Sequence, residues 1–319
     1  MISKQIKILY LGPEVGVSWI KEQIGRNFDV LKACSPEESD QLLPECEVIL
    51  DAYMKVPFQA ARLKKANSLK LVVTATTGAN HIDAEYLNEN KIPLLTLKGQ
   101  HEILKDITAA AEHSWLLLMC CARGLRGAVK EVEELGWDRN NHPGRMLKGR
   151  NLGLIGCGRI GQWMSRYANA FGMQVFGYDP YLSEWPDGIQ KLPLSALMPV
   201  SDFISVHVNL TPDTEGLLSR HLLQQMKPGA SVINTSRGEI IDEAALLDGL
   251  KSGQIGAAGL DVLKGEPDVK DHPLVKYAKK NPNLTITPHI GGYSPDALRH
   301  VINFSCDRIT TYFEQKWNA

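Results

Sequence analysis

Short apolar runs alternate with helical patterns along the first hundred residues of the chain. Runs rich in aliphatic and β-branched residues predict four strands, at residues 6–11, 48–50, 71–74 and 93–97. Apolar residues at helical spacing predict helices between them, at residues 17–24, 58–66 and 83–89. Strands that alternate with helices are typical of an α/β layer built on a parallel sheet.

A second alternation of the same kind begins at Asn151. The predicted strands are residues 152–155, 175–178, 203–207, 231–235, 257–260 and 284–287, and the predicted helices are residues 160–170, 194–198, 220–226 and 243–252. This pattern predicts a doubly wound parallel sheet. A last amphipathic helix is predicted after Pro295. The fold class is therefore α/β, with two doubly wound domains.

Between the two alternations lies a longer helical pattern, residues 106–123, which begins at Thr108. Its high apolar content predicts a buried connector between domains or subunits. The segment that follows, residues 137–149, is rich in Asn, Pro and Gly, and these turn residues predict a surface loop.

The segment LGLIGCGRIG, residues 152–161, places a G-x-G-x-x-G pattern between a predicted strand and a predicted helix. In such a pattern Gly156 permits a tight turn, Gly158 lets the backbone approach a pyrophosphate, and Gly161 lets helix and strand pack closely. The N-terminus of the helix then offers N–H groups and a partial positive charge to the phosphates. The pattern indicates a dinucleotide site.

An acidic residue stands where such a site needs one. Asp179 follows the second strand of this half, about 20 residues beyond the glycines. A carboxylate there accepts hydrogen bonds from the ribose hydroxyls of NAD and would repel the 2′-phosphate of NADP. The alternative is a plain glycine turn with Asp179 capping a loop. The order of strand, glycines, helix, strand and acid favours the dinucleotide site over this alternative. No Arg or Lys follows Asp179 immediately, which favours NAD over NADP.

Three polar residues follow predicted strands in the second half, at the sheet edge where open α/β sheets bind ligands. They are Arg237, Glu266 and His289. A guanidinium can hold a substrate carboxylate in a two-pronged way, and an imidazole can transfer a proton near neutral pH. A carboxylate can fix the imidazole tautomer, as in a hydrolase triad. Taken singly, each residue is more often an ordinary surface or hydrogen-bonded side chain.

Composition narrows the function classes. The 319 residues are 44% apolar and 22% charged, with a net charge of −1, which favours neither nucleic acid nor membrane as a partner. Six cysteines show no CxxC pair and no zinc-like spacing with His, so no metal site and reduced thiols are expected. The first residues lack a signal peptide and no apolar run approaches the ~20 residues of a membrane span. A cytoplasmic location follows as the expectation.

With these motifs the sequence resembles the D-isomer-specific 2-hydroxyacid dehydrogenase family, in its phosphoglycerate dehydrogenase-like and glyoxylate/hydroxypyruvate reductase-like branches. A weaker N-terminal match is TGANHID, residues 77–83, with AEH at residues 111–113. The matching text in the second half is LGLIGCGRIG (152–161), VHVNLTPDTEGLL (206–218), MKPGASVINTSRG (226–238), IDEAAL (241–246), GLDV (259–262), GEP (265–267) and TPHIGG (287–292).

The resemblance implies a Rossmann NAD-binding domain, residues 106–292, inserted into a flavodoxin-like substrate domain, residues 1–105 plus 293–319, with the active site in the cleft. It implies NAD-dependent, reversible hydride transfer between NAD(H) and a small 2-oxo or 2-hydroxy carboxylate. It also implies a homodimer in which the helix at residues 106–123 takes part.

The resemblance also assigns residues to roles. Arg237, Glu266 and His289 match the catalytic positions, and Thr77, Gly78 and Ala79, together with Arg237, match the substrate-binding positions. His113 and His207 are expected to be structural. The cofactor-binding positions are Gly156, Gly158, Arg159, Ile160, Gly161, Asp179, Val208, Thr235, Ser236, Asp261 and Gly292.

The substrate is left open. Residues 97–104 depart from the commonest sequence of the family in the region where specificity for the substrate side chain is expected. The candidate substrates therefore still include 3-phosphoglycerate, glyoxylate, hydroxypyruvate and other 2-oxo acids. Lys98, His101 and Lys105 could bind a substrate phosphate, although a solvated loop is favoured. The sequence stops at Ala319, so a following amino-acid-sensing domain is not expected.

Two other functions compete with the dehydrogenase. The first is an NAD(H)-sensing binding protein or corepressor of the same fold. The second is a formate dehydrogenase, which is disfavoured because that branch is expected to carry an amide where Glu266 stands.

Overall fold

The computed structural model describes residues 5–317, and the chain divides into two compact units. Unit 1 takes the chain up to residue 107 and again from residue 294, and unit 2 takes residues 108–293. From the sequence, the boundaries between the two domains were predicted to lie between residues 105 and 106 and between residues 292 and 293. The assignment of one unit to substrate and the other to cofactor stays a prediction. The absence of a signal peptide was predicted from the first residues of the chain, and of these, residues 1–4 lie outside the described part.

Twelve strands are found in the described residues. They are β1 (Ile6–Leu11), β2 (Phe28–Lys32), β3 (Val48–Asp51), β4 (Leu71–Thr74), β5 (Leu94–Leu95), β6 (Asn151–Ile155), β7 (Gln174–Tyr178), β8 (Gln190–Lys191), β9 (Phe203–Val206), β10 (Ala230–Asn234), β11 (Ile255–Leu260) and β12 (Leu284–Ile286).

Thirteen α-helices are found in the same residues. They are α1 (Glu14–Ile24), α2 (Pro36–Leu42), α3 (Ala60–Leu63), α4 (Ala84–Glu89), α5 (His101–Leu104), α6 (Ala109–Arg123), α7 (Leu125–Glu133), α8 (Arg159–Ala170), α9 (Leu194–Val200), α10 (Arg220–Gln224), α11 (Glu243–Ser252), α12 (Pro273–Ala278) and α13 (Pro295–Trp317).

Unit 1 is built on a five-stranded parallel sheet in the order β2-β1-β3-β4-β5. This is the flavodoxin-like order of a doubly wound sheet. β3 and β4 are buried at every position, because helices cover both faces and leave no strand face to water. One apolar cluster includes Ile8 and α13, and the other includes Leu9 and Phe58.

Unit 2 is built on a seven-stranded parallel sheet in the order β12-β11-β10-β9-β6-β7-β8. The chain order reverses between β6 and β9, which makes this point the topological switch of a Rossmann sheet. Ligands in such sheets bind outside the carboxyl ends of the strands, at the switch. The two doubly wound α/β folds predicted from the sequence are therefore confirmed.

Helix α6 begins three residues later than the pattern predicted. Thr108 occupies the N-cap position but makes no capping bond, and its hydroxyl donates instead to Glu112. The helix was predicted to connect domains or subunits. Within unit 2 it packs on the sheet, where a Cβ added to Gly259 would lie 2.8 Å from Leu117 Cβ. The segment at 137–149 is a loop with one short 3-10 turn, Arg139–Asn141.

In the part of the chain from residue 5 to residue 317, none of the helices combines the length and the apolar character that crossing a bilayer requires.

Candidate active site

Two glycines of the loop after β6 are required by close packing. Gly156 has φ 93°, and a Cβ there would lie 2.5 Å from the carbonyl oxygen of His207 and 2.9 Å from Val208 Cγ1. A Cβ on Gly161 would lie 2.3 Å from the carbonyl oxygen of Gly156. All three distances are too short for a side chain, so the loop, the end of β9 and α8 can meet only with glycine at these two positions.

Gly158 is different, because nothing in the fold demands a glycine there. Its φ is −70°, it is the N-cap of α8, and among residues 5–317 no heavy atom lies within 4 Å of an added Cβ. The space above it is open, and a glycine is needed only if a ligand comes close to the backbone. Arg159 and Ile160 form the first turn of the helix behind it. The loop thus fits the pyrophosphate of a dinucleotide.

Asp179 joins the glycine loop to the end of β7. Its Oδ2 accepts from the amide of Cys157 at 3.0 Å, and its Oδ1 accepts from the amide of Tyr181 at 3.0 Å. The half-buried carboxylate therefore lies beside the loop at the carboxyl edge of the sheet. This is where an acid must be to contact the adenosine ribose of a bound dinucleotide.

Cys157 fills space that Gly177 leaves open on β7. A Cβ on Gly177 would lie 2.4 Å from Cys157 Sγ. The thiol is fully buried, and this burial raises its pKa to about 12. Its role is packing beneath the loop, not chemistry.

Other predicted cofactor positions surround the same edge. Thr235 Oγ1 lies 2.7 Å from Ser114 Oγ, and Ser236 Oγ donates to the carbonyl of Val206 at 2.9 Å. Val208 packs partly buried behind Gly156. Gly292 is exposed, and in the described part of the chain no heavy atom lies within 4 Å of an added Cβ.

The three predicted catalytic residues follow three neighbouring strands. Arg237 comes after β10, Glu266 after β11 and His289 after β12, and these strands are adjacent and parallel. Neighbouring strands lie roughly 4.8 Å apart. The three residues therefore emerge from one edge of one sheet, the same edge that carries the glycine loop.

Arg237 is fixed by the buried side chain of Asn234. The amide oxygen of Asn234 accepts from the amide of Ser236 at 3.0 Å, and its Nδ2 donates to the carbonyl of Arg237 at 2.8 Å. The next residue, Gly238, lies against the loop after β11, where an added Cβ would be 2.1 Å from the amide nitrogen of Lys264. The backbone at Arg237 thus packs against the loop that carries Glu266.

His289 and Glu266 form a hydrogen-bonded pair. Nδ1 of His289 bonds to Oε1 of Glu266, and the other carboxylate oxygen accepts from the amide of Leu263 at 3.3 Å. The side chains are 39% and 29% exposed, so the pair is open to a ligand. With Nδ1 bound to the carboxylate, Nε2 is the ring atom directed away from it. This is the arrangement of an acid–base histidine oriented by a carboxylate.

Comparison with known proteins shows the family of the chain. Residues 115–291 match the family model described as "D-isomer specific 2-hydroxyacid dehydrogenase, NAD binding domain". A hydroxypyruvate reductase of Thermotoga maritima is 34% identical over 265 residues, which cover 83% of this chain and 84% of that protein. The chain belongs to the D-isomer specific 2-hydroxyacid dehydrogenase family.

A second family member is the D-3-phosphoglycerate dehydrogenase of Mycobacterium tuberculosis, 35% identical over 290 residues. The match covers 90% of this chain but 51% of that protein, so the chain spans about half the length of the phosphoglycerate dehydrogenases it matches. Among solved structures, an acyclic imino acid reductase in complex with NADPH and D-Arg has a TM-score of 0.81. It is 30% identical, with 98% of each chain covered.

Three of the four predicted substrate-binding residues, Thr77, Gly78 and Ala79, lie in unit 1 in the loop after β4, whereas Arg237 lies in unit 2. Thr76 Oγ1 donates to the carbonyl of Gly78 at 2.7 Å, and Thr77 at the tip is exposed. His81 Nε2 bonds to the buried carboxylate of Asp51 at 2.7 Å. One bond therefore holds the loop internally, and the other ties its far end to the carboxyl end of β3. Its role with substrate stays a prediction.

Some supporting residues were not predicted from the sequence. Asn234 holds the turn before Arg237, and Thr287 Oγ1 donates to Asp261 at 2.5 Å below His289. Their only signal was their place at strand ends, beside the catalytic residues. His113 was expected to be structural, and its Nε2 donates to Thr287 Oγ1 at 2.8 Å. No group of His, Cys, Asp and Glu suited to a metal occurs among residues 5–317.

Proposed function

We propose that the chain is an NAD-dependent D-2-hydroxyacid dehydrogenase that catalyses reversible hydride transfer between NAD(H) and a small 2-oxo or 2-hydroxy carboxylate. The observation that carries the proposal is the bonded His289–Glu266 pair at the sheet edge that also bears the glycine loop. A dinucleotide site and an acid–base pair on one edge provide the two parts that such a reaction needs.

The cofactor-binding part consists of the loop after β6 and the acid after β7. Gly158 leaves room for the pyrophosphate, and the first turn of α8, with Arg159 and Ile160, faces it. Asp179 selects NAD because its charge opposes a 2′-phosphate. When bound, the reduced nicotinamide supplies the hydride. Val208, Thr235, Ser236, Asp261 and Gly292 are proposed to complete the cofactor site.

The residues of the chain supply binding and proton transfer. Arg237 holds the substrate carboxylate and polarises the adjacent carbonyl. As the carbonyl oxygen gains negative charge, Nε2 of His289 gives it a proton, and Glu266 stabilises the ring through Nδ1. In the oxidative direction the same nitrogen takes the proton from the substrate hydroxyl. Backbone amides of Thr77, Gly78 and Ala79 are proposed to hold the carboxylate as well.

Within this class we place unphosphorylated 2-oxo acids such as hydroxypyruvate and glyoxylate ahead of 3-phosphoglycerate. Of the cationic residues that could hold a phosphate, Lys105 is paired with Glu102 at 2.8 Å. This pairing leaves less charge for a phosphate than the sequence suggested. A relative named hydroxypyruvate reductase matches the chain over most of its own length, which supports the same order.

The test is steady-state oxidation of NADH with hydroxypyruvate, glyoxylate, pyruvate and 3-phosphohydroxypyruvate, repeated with NADPH. Turnover of at least one 2-oxo acid, with NADH preferred, is expected. Tight NADH binding without turnover of any of them would favour the competing function, an NAD(H)-sensing binding protein or corepressor.

We also infer that two copies of the chain associate through unit 2. Helix α7 buries none of its residues, although Leu125, Val129 and Val132 form an apolar face at helical spacing. The segment after it exposes Leu135 and Trp137 at 95% and 90%. An apolar surface of this kind marks an interaction site, and a second copy covers it in an isologous dimer.

Sedimentation of a Val129→Asp, Val132→Asp double variant tests this dimer. A shift to monomer is expected, whereas Val15→Asp, at an equally exposed valine of unit 1, should stay dimeric. A monomeric wild type would rule the dimer out.

We also propose a cytoplasmic location, where free thiols such as those of the six cysteines stay reduced, and fractionation can test it.

A further inference from the structure

The loop that carries His289 folds around one buried carboxylate. Asp261, at the end of β11, is 1% exposed. Its Oδ1 accepts from Thr287 Oγ1 at 2.5 Å and from the amide of Ile290 at 2.9 Å, and its Oδ2 accepts from the amide of Gly291 at 2.7 Å. Its own carbonyl accepts from the amide of His289 at 2.8 Å. One residue thus binds the chain before, at and after the histidine.

The charge of this carboxylate is stabilised by its partners. Burial by itself would raise the pKa of Asp261, but the hydrogen bonds from His113, Thr287 and the two amides outweigh it and lower the pKa. His113, on α6, places Nε2 2.8 Å from Thr287 Oγ1 and 3.3 Å from Asp261 Oδ1. Because the Thr287 hydroxyl donates its own hydrogen to Asp261, the His113 Nε2–H is the donor to Thr287 Oγ1 and to Asp261 Oδ1.

The backbone at His289 needs such support. Its φ is 55°, in the left-handed region that a non-glycine residue rarely adopts. A conformation of this kind persists only where surrounding contacts impose it. The direction of the His289 ring depends on this backbone, since Glu266 can bond to Nδ1 only if the ring leaves the chain at that angle.

We propose that Asp261 and His113 are positioning residues for His289. Asp261 fixes the left-handed turn, and His113 fixes Asp261 and Thr287, so that the ring of His289 meets Glu266 on one side and substrate on the other. The proposal rests on the proposed function for the role of His289. Holding the turn is a second role for the Asp261 carboxylate, beside its proposed place in the cofactor site, and experiment can separate the two roles.

The first experiment does not depend on activity. Hydrogen exchange of a peptide spanning 287–293 is compared in wild type, Asp261→Asn and Asp202→Asn. Asp202 is a matched control, because it is also a buried carboxylate that accepts a backbone amide, from Asn151 at 2.9 Å, but at the opposite edge of the sheet. Faster exchange of this peptide in Asp261→Asn alone is expected. Unchanged exchange in Asp261→Asn overturns the proposal.

The second experiment separates positioning from cofactor contact. Asp261→Asn should lower kcat at saturating NADH by roughly 10- to 100-fold, as a misplaced catalytic group does, whereas the loss of a cofactor contact alone would raise the Kd for NADH and leave that kcat unchanged. In a His289→Ala background the same change should cost little more, since coupled residues are not additive. A large loss of NADH affinity with kcat retained, or a fully additive loss, contradicts the proposal.

The role of His113 can be tested by comparing a conservative with a non-conservative substitution. Gln can place an N–H near the position of Nε2, whereas Leu cannot, so His113→Gln should retain most of the kcat that His113→Leu loses. Equal kcat in the two variants would contradict the role of His113. If wild type turns over no 2-oxo acid at all, the proposed function fails, and the exchange experiment still decides the positioning role.

Discussion

The carboxylate of Asp179 accepts a hydrogen bond from the backbone amide of Cys157, at 3.0 Å. The bond links the acid after β7 to the middle of the glycine loop after β6. The charge of Asp179 is therefore held at a fixed place beside the loop, and any ligand phosphate or ribose on this loop must lie close to it. The preference for NAD over NADP should therefore depend on the charge of this one residue, Asp179.

Asp179→Ala should relax the preference for NADH over NADPH, because the charge that opposes the 2′-phosphate is removed. The measurement is kcat/KM with each cofactor. Asp179→Asn separates charge from geometry, since its amide oxygen can still accept from Cys157. It should gain NADPH activity while keeping the loop intact. Unchanged discrimination in both variants would refute the ribose role of Asp179.

Arg237→Ala should lose most activity while NADH binding, measured by fluorescence, is kept. The reason is that Arg237 is proposed to hold substrate and not cofactor. Arg237→Lys keeps the charge but loses the planar two-pronged contact, and should recover only a small part of the rate. Near-full activity of the alanine variant would remove Arg237 from the mechanism.

His289→Ala should lower kcat by about 10²- to 10⁴-fold, the usual contribution of an acid–base group. Glu266→Gln can still contact the ring but carries no charge to stabilise imidazolium, and it should show a smaller loss than His289→Ala. Because the two residues are bonded, the double variant should be little worse than His289→Ala. A His289→Ala enzyme with nearly wild-type turnover would contradict the assignment.

The sequence predicted those parts of the site that depend on local order. Motif spacing and position at strand ends are enough to identify them. They are the glycines after β6, Asp179 after β7, and Arg237, Glu266 and His289. The contact of Asn234 with the turn at Arg237 was not predicted. Neither was the ring of bonds around Asp261. Both depend on side chains that meet backbone of a neighbouring strand or turn, and no periodicity reports such contacts.

The same reasoning explains the elements that were missed. β2 has a half-buried, partly polar sequence, FDVLK, and pairs with β1 at the edge of its sheet. α7 buries none of its residues, and its apolar residues Leu125, Val129 and Val132 are 45–52% exposed, so a pattern of core-facing residues does not reveal it. By contrast, β3, β4 and β10, which are buried at every position, were predicted to within one residue at each end.

Cysteine reactivity provides a test of burial. Cys157 is fully buried and its pKa is raised to about 12, while Cys34 is exposed. A thiol reagent at neutral pH should therefore label Cys34 first and leave Cys157 untouched in the folded protein, because only the accessible thiolate reacts. Peptide mapping after brief alkylation measures this, with Cys34→Ser as the control. Early labelling of Cys157 would show that the glycine loop opens.

Stability in mild acid tests the environment of His207. Burial lowers its pKa to about 3, and its Nε2 lies 2.8 Å from Ser205 Oγ. An unfolded histidine has a pKa near 6.5. Between these values the unfolded chain binds a proton that the folded chain does not, so the stability contributed by neutral His207 is present above about pH 6.5 and is lost as the pH falls below it.

The measurement is the urea midpoint at pH 7 and pH 5 for wild type and His207→Gln. The variant loses packing at both pH values, but it should lose less of its midpoint on acidification than wild type does, because it has no imidazole to protonate. His221→Gln, at an exposed histidine, controls for histidine content and should keep the wild-type pH dependence. If His207→Gln and wild type lose the same midpoint between pH 7 and pH 5, His207 is not held neutral by burial.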